Sequence, residues 1–167
     1  MSWMARGRYA LVLASVIILQ LGVFSDLRLG GVHPDVTLLI AVVAGLVAGP
    51  RRGVVIGFWA GLLIDPVLPT PLGMTALVWA MVGFMAGMAE EMINSHTPLG
   101  LSLFVLGGSA GGSLLYAVVG QLFGAETLSG SDVGRIVGLI SATNALLALP
   151  TIAVVEWAED GRSDIAR

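Results

Sequence analysis

The side chain best placed to do chemistry in an apolar environment is the carboxylate of Asp65. It ends a strongly apolar stretch, directly after Leu63 and Ile64, and Pro66 follows at once. A carboxylate inside a membrane is by default a candidate functional group, because burying its charge is costly. The alternative is that Asp65 lies at the interface, caps backbone amides near the proline-rich loop and ends the helix. Pro66 favours this second interpretation, and both stay open.

Other polar residues give weaker indications. Asn144 interrupts an apolar segment and is a candidate for a hydrogen bond to another helix or for a ligand contact. Arg51 and Arg52 are candidates for binding anionic membrane lipids or the acidic tail of a partner, although a role in orienting the chain explains them equally well. His33 and His96 fall on opposite sides of the membrane in the topology predicted below, so they cannot share a metal ion.

No catalytic pattern accompanies these residues. The sequence contains no phosphate-binding glycine loop and no H-E-x-x-H zinc motif. It has no cysteine, which excludes disulfides and thiolate-bound metals. The net charge of −3 with scattered arginines argues against a nucleic-acid partner. We therefore predict a protein that is not an enzyme and that holds no metal or cofactor.

The composition sets the class of protein that must position these residues. The chain has 167 residues, of which 56% are hydrophobic and 11% are charged, and its mean hydropathy is +0.93. Soluble domains carry about 25% charged residues, so this chain lacks the charge to cover a globular surface. We predict an all-α integral membrane protein that forms one compact bundle.

Apolar segments and turn residues divide the chain into six predicted transmembrane helices. They span about 9–24, 35–49, 53–66, 72–92, 99–123 and 133–156 in a single domain 1–157, with a cytoplasmic tail at 158–167. The second apolar run, Val36 to Ala48, rises only ~20 Å, short of the ~30 Å hydrocarbon core. Thr70-Pro71 and Thr97-Pro98 each predict a cap and the first position of a helix. Pro150 predicts a kink, because it leaves the carbonyl of Leu146 without its helical donor.

Six spans place both termini on the same side of the membrane. If that side is cytoplasmic, the inner segments hold Arg6, Arg8, Arg51, Arg52, Arg162 and Arg167, and the outer loops hold Arg28 and Arg135. This distribution obeys the positive-inside rule. We therefore predict a multi-pass protein with both termini in the cytoplasm.

Glycines spaced by four residues form a bare face on two of the predicted helices. Gly53, Gly57 and Gly61 lie on the third span, and Gly83 and Gly87 lie on the fourth. Such rows allow helix backbones to approach closely in lipid. We predict that they are helix-packing surfaces, either inside this bundle or against a partner.

The order of these features resembles one family. Pro34-Asp35 before an apolar helix, the G-P-R-R-G turn at 49–53, Leu63-Ile64-Asp65, Pro71-Leu72-Gly73 and the G-F-M-A-G run at 83–87 look like the rod shape-determining protein MreD. The matching block covers about Pro34 to Gly87, a third of the chain. The resemblance implies a six-helix fold similar to the substrate-binding S components of energy-coupling-factor transporters.

The resemblance also implies a function. MreD proteins are non-enzymatic membrane scaffolds of the bacterial cell-elongation complex, in the inner membrane. They associate with the single-span protein MreC, and through it with MreB, RodA and a penicillin-binding transpeptidase that make peptidoglycan.

A second hypothesis is a substrate-binding component of a small-molecule, vitamin-type transporter. It needs polar groups converging in a cavity, and the candidates are Asp65, Gln20, Asn144 and Gln121.

Overall fold

The computed structural model describes residues 3–23, 32–90, 97–125 and 132–159. Within these ranges the chain is helical and contains no strand. The helices are α1 (Trp3–Gly22), α2 (Val36–Ala48), α3 (Pro50–Ile64), α4 (Met74–Glu90), α5 (Pro98–Leu122), α6 (Val133–Leu146) and α7 (Ala148–Glu159), with a 3-10 turn at Asp65–Val67 after α3. The prediction of an all-helical fold is confirmed.

The short second helix is the centre of the bundle. Every residue of α2 from Val36 to Leu46 is buried, and α2 packs against α1, α3, α4, α5 and α7. A helix that is enclosed by other helices is buried on every side and is therefore apolar all round. Because it does not face lipid, its length need not match the thickness of the bilayer. This explains why its sequence is apolar all round and shorter than a full span.

The two ends of the bundle are defined by the direction of the helices. We call the end where α1, α3 and α5 begin and where α7 ends the terminal end. The opposite end, where α2, α4 and α6 begin, is called the cavity end. Between α2 and α3 the chain reverses through a single residue, Gly49, whose φ of +81° suits glycine.

The sixth predicted span is a broken helix. α6 and α7 meet at Leu147 with a bend of 58°. Pro150 lies in the first turn of α7, so the break comes three residues earlier than the proline itself. The predicted kink is present, but the helix separates into two elements instead of bending at the unpaired carbonyl. α7 continues to Glu159, two residues beyond the predicted domain limit, while residues 160–167 of the predicted tail lie outside the described part.

Helix length limits how many spans can be assigned. Met4–Gly22 and Pro98–Leu122 are long and apolar enough to cross a membrane, and the bent pair α6–α7 is a third candidate. Val36–Ala48 and Met74–Glu90 are shorter apolar helices. The described residues thus contain two or three candidate spans, and the six-span topology stays a prediction.

The two proline-based helix starts have different outcomes. Thr97 does cap α5, because its hydroxyl accepts a hydrogen bond of 3.1 Å from the Gly100 amide. Thr70 does not cap α4, which begins only at Met74. The prediction for Thr70 was wrong because Asp65, eight residues upstream of Gly73, supplies the cap instead.

Candidate functional site

The glycine row of α3 lies against α4 of the same chain. A Cβ atom placed on Gly53 would collide with the backbone of Gly83, and one on Gly57 would collide with the backbone of Trp79. A Cβ on Gly61 would lie 2.5 Å from the Cα and N atoms of Ala76. These distances are far below an ordinary carbon contact of ~3.5–4.0 Å, so the two backbones touch along the whole row.

The glycines of α4 complete the same contact. Gly83 faces Gly53, and a Cβ on Gly87 would collide with Pro50 at the start of α3. Gly45 of the central helix also approaches Gly83 and Gly87. The row is therefore filled by the protein's own helices, and it is not a free groove for another chain.

Asp65 is a buried helix cap. Only 1% of it is exposed, and its carboxylate accepts hydrogen bonds from the amides of Gly73 at 2.8 Å, Thr75 at 3.1 Å and Ala76 at 3.3 Å. These amides are among the unpaired donors at the start of α4, where the helix dipole favours a negative charge. Asp65 thus ties the end of α3 to the start of α4 and fixes the position of Thr75.

A polar cavity of about 480 Å³ lies at the cavity end. Its polar lining comes from α1, α2, α4 and α5 and the segment before α2, and consists of Gln20, His33, Asp35, Thr37, Thr75, Trp79 and Tyr116. An adjoining cavity of about 230 Å³ shares Asp35, Trp79 and Tyr116 and adds Ser113. The volume of the larger cavity lies within the range of about 300–1,000 Å³ that is typical of ligand sites.

Hydrogen bonds fix one wall of the polar cavity. The Trp79 indole donates to the Thr37 hydroxyl at 3.1 Å, and that hydroxyl donates to the Asp35 carboxylate at 2.6 Å. The same carboxylate caps α2 by accepting from the Leu38 amide at 2.9 Å. The Trp79 ring also packs on Tyr116, with the ring centroids 5.5 Å apart. This wall is preorganised, because each polar side chain in it already has a partner.

Two other hydroxyl groups at the cavities have no hydrogen-bond partner among the described residues. Thr75 is 1% exposed, and its Oγ1 has no hydrogen bond in the described part of the chain. The Oγ of Ser113, at the smaller cavity, is likewise buried and unpaired among the described residues. A buried hydroxyl without a partner is unfavourable by about 1–3 kcal/mol. Among the described residues, these two hydroxyls are candidate hydrogen-bond partners for a molecule that enters the cavities.

Asn144 lies apart from the polar cavity. It is fully buried, and its Nδ2 donates to the Ser109 hydroxyl at 3.0 Å. This bond joins α6 to α5, as one of the two sequence interpretations expects. Its Oδ1 has no partner in the described residues, and Asn144 does not line either polar cavity.

The two adjacent arginines at the start of α3 have different surroundings. Arg52 Nη1 lies 2.8 Å from Glu159 Oε1 at the end of α7, an ion pair by distance rather than an aligned hydrogen bond. The Tyr9 hydroxyl donates to the same oxygen at 2.7 Å. Arg51 is exposed. The Glu159 carboxylate therefore connects α7 to α1 through Tyr9 and to α3 through Arg52 at the terminal end, whereas Arg51 is available to the surroundings.

Sequence reasoning found some of these groups and missed others. Asp65, Gln20 and Asn144 were identified as polar candidates, yet only Gln20 of the three lines the polar cavity. Thr37 and Trp79 were missed because each looks like an ordinary residue of an apolar helix. The available indication was topological, because both residues lie within about one and a half turns of a helix start at the same end of the bundle.

The chain is an all-helical integral membrane protein built around a buried short helix. In its described part no group of three His, Cys, Asp or Glu side chains is arranged to hold a metal ion. The family model for the rod shape-determining protein MreD matches residues 7–149, which is nearly the whole chain. The chain therefore belongs to the MreD family, whose members act in determining rod shape. No curated protein and no solved structure matches it.

Proposed function

We propose that this chain is a non-enzymatic scaffold of the bacterial cell-elongation complex. It lies in the inner membrane with six spans and both termini in the cytoplasm, and it binds an MreC-type single-span protein. Through that partner it supports MreB, RodA and a penicillin-binding transpeptidase in localised peptidoglycan synthesis. The match to the MreD family over residues 7–149 is the observation that carries this proposal.

The packing of the glycines narrows where such a partner binds. Gly53, Gly57 and Gly61 are covered by α4, so a partner contacts another surface. The polar cavity is the strongest alternative, because it combines a rigid wall with the unpaired hydroxyl of Thr75. In the proposed topology it faces the outer side of the membrane.

Photo-crosslinking tests this placement. A photoreactive amino acid replaces Val67, which lines the polar cavity and is 59% exposed. Leu99, 71% exposed at the opposite end, is the matched control. We expect a crosslink to a single-span protein from position 67 and none from position 99. A crosslink from neither position, with the chain still supporting rod shape, would contradict binding at the cavity.

A second candidate function is small-molecule binding, as in a transporter S component. The unpaired hydroxyls of Thr75 and Ser113 favour it, because an unpaired polar group at a cavity is a ready partner for a polar ligand. Native mass spectrometry of the chain extracted gently from its membranes distinguishes the two functions. A bound single-span protein supports the scaffold, whereas a bound small molecule with ATPase subunits supports the transporter.

A further inference from the structure

An apolar groove runs along the outside of the bundle between α1 and α3. It has a volume of about 540 Å³. Leu13 and Ile17 line it from α1, and Val55 and Trp59 line it from α3, with Arg6 at one end. We call it the α1–α3 groove. It is separate from the polar cavity, and its lining is almost entirely apolar.

The length of the groove matches one leaflet of a membrane. From Arg6 to Ile18, both of which line it, the helix rises ~18 Å. Half of the ~30 Å hydrocarbon core is ~15 Å. A lipid chain that begins at the level of Arg6 therefore ends near the middle of the bilayer, where the groove also ends.

The mouth of the groove is positively charged. Neither α1 nor α3 contains an acidic residue. Tyr9 and Arg52 reach the same oxygen of Glu159, which places the starts of the two helices at the same level. Arg6 lines the groove, and Arg51 lies one helical turn before Val55, which also lines it, so Arg51 is on the groove-facing side of α3. Both arginines are exposed, and neither forms an ion pair with a described residue. Two guanidinium groups are thus available beside an apolar groove.

A second apolar groove, between α1 and α7, provides a comparison. It has a similar volume of about 450 Å³, and Ser15 and Trp157 line it. The cation that contacts this groove's Trp157 is already engaged, because Arg8 donates to the Trp157 carbonyl at 2.9 Å and lies 4.9 Å above the Trp157 ring. The two grooves are similar in volume and both are apolar. Of the two, the α1–α3 groove is the one with cations at its mouth that form no ion pair with a described residue.

We propose that the α1–α3 groove binds an anionic phospholipid of the leaflet at the terminal end. One acyl chain lies along Leu13, Ile17 and Trp59, and the phosphate contacts Arg6 and Arg51. Guanidinium groups bind phosphate through paired hydrogen bonds, and a basic residue near an anionic membrane surface contributes ~1 kcal/mol. This site does not depend on the partner-binding proposal above.

Quenching of Trp59 fluorescence by brominated lipids tests the proposal. The chain is reconstituted in vesicles containing phosphatidylglycerol or phosphatidylcholine with brominated acyl chains. The contribution of Trp59 is the difference between the wild-type chain and Trp59→Phe. We expect phosphatidylglycerol to quench Trp59 several-fold more strongly than phosphatidylcholine. The double variant Arg6→Gln/Arg51→Gln should remove this preference, and each single variant should lower the affinity for phosphatidylglycerol, titrated into phosphatidylcholine vesicles, about five-fold.

A pair of variants on α1 separates shape from charge. Ala14→Phe fills the α1–α3 groove, while Ser15→Phe fills the α1–α7 groove at the same depth. We expect only Ala14→Phe to abolish quenching of Trp59 by phosphatidylglycerol, with both variants unfolding at the wild-type temperature. Equal quenching by the two lipids, or a preference that survives loss of both arginines, overturns the proposal. Absence of quenching by either lipid overturns it too, since it means that protein covers the groove.

Discussion

Replacing Gly53 by alanine is expected to force α3 and α4 apart. A Cβ on Gly53 would lie 2.5 Å from the carbonyl carbon of Gly83, and a Cβ on Gly83 would lie 2.5 Å from the carbonyl carbon of Gly53. An ordinary contact needs ~3.5 Å, so the helices must separate by roughly 1 Å. The obstacle is backbone, which cannot move aside as a flexible side chain can.

The size of the effect follows from the extent of this contact. α3 and α4 form the most extensive helix pair of the bundle, so moving them apart weakens packing along the whole row. Overpacking a tight interface costs about 1–3 kcal/mol, and we expect Gly53→Ala to fall in that range. Gly107→Ala is the matched control, because a Cβ on Gly107 meets nothing within 4 Å. It should be neutral or slightly stabilising, since alanine favours helix over glycine by up to ~1 kcal/mol.

The assay is reversible unfolding in mixed micelles with a denaturing detergent, followed by circular dichroism. The double variant Gly53→Ala/Gly83→Ala should cost less than the sum of the two single variants. Once one methyl group has separated the helices, the second finds part of its space already made, and coupling of about 0.5–3 kcal/mol is usual for residues in contact. Two results would refute the close packing of α3 against α4. One is an equal free energy of unfolding for Gly53→Ala and Gly107→Ala. The other is a double variant whose cost equals the sum of the costs of Gly53→Ala and Gly83→Ala.

The remaining predictions concern polar contacts and use the same unfolding assay. Asp65→Ala should destabilise the chain by about 1–3 kcal/mol because buried amides at the start of α4 lose their acceptor. Thr97→Ala removes an exposed cap worth ~1 kcal/mol and should cost less; equal losses would contradict a buried anchoring role for Asp65. Tyr9→Phe and Arg52→Gln should each cost ~1 kcal/mol and be non-additive, since both groups share one carboxylate oxygen; additive losses would show independent contacts. Trp79→Phe should cost ~1 kcal/mol through its lost indole hydrogen bond, and an unchanged midpoint would show that this bond is dispensable.

The helical architecture could be predicted because its indications are local. Long apolar runs, the Gly49-Pro50 turn and the Thr97-Pro98 cap each determine structure within a few residues. The tight packing of Gly53 and Gly57 was also predictable, since a bare helix face in lipid needs another backbone. The sequence left open which helix would supply it, and the structure places α4 there.

The break at Leu147 and the cap at Asp65 were harder to predict. Pro150 explains a missing hydrogen bond but not the position of the break, which also depends on how α6 and α7 pack against α5 and α2. The cap at α4 bridges eight residues from Asp65 to Gly73, whereas capping patterns in a sequence are normally sought within three. Long-range contacts therefore decided both features.

The positions of the polar groups change what the family pattern means for this chain. The resemblance rests in part on Pro34-Asp35, the turn at 49–53 and the glycines of α3 and α4, and most of these residues cap helices or pack inside the bundle. They specify the fold. The hydroxyls of Thr75 and Ser113 have no partner among the described residues, and because they lie on different helices, only the assembled bundle brings them to adjoining cavities. Thr75→Val should leave stability unchanged or higher, since it removes an unpaired buried hydroxyl. Loss of rod-shape rescue by a stable Thr75→Val chain would assign a function to the cavity, and full rescue would restrict the functional surface to other parts of the molecule.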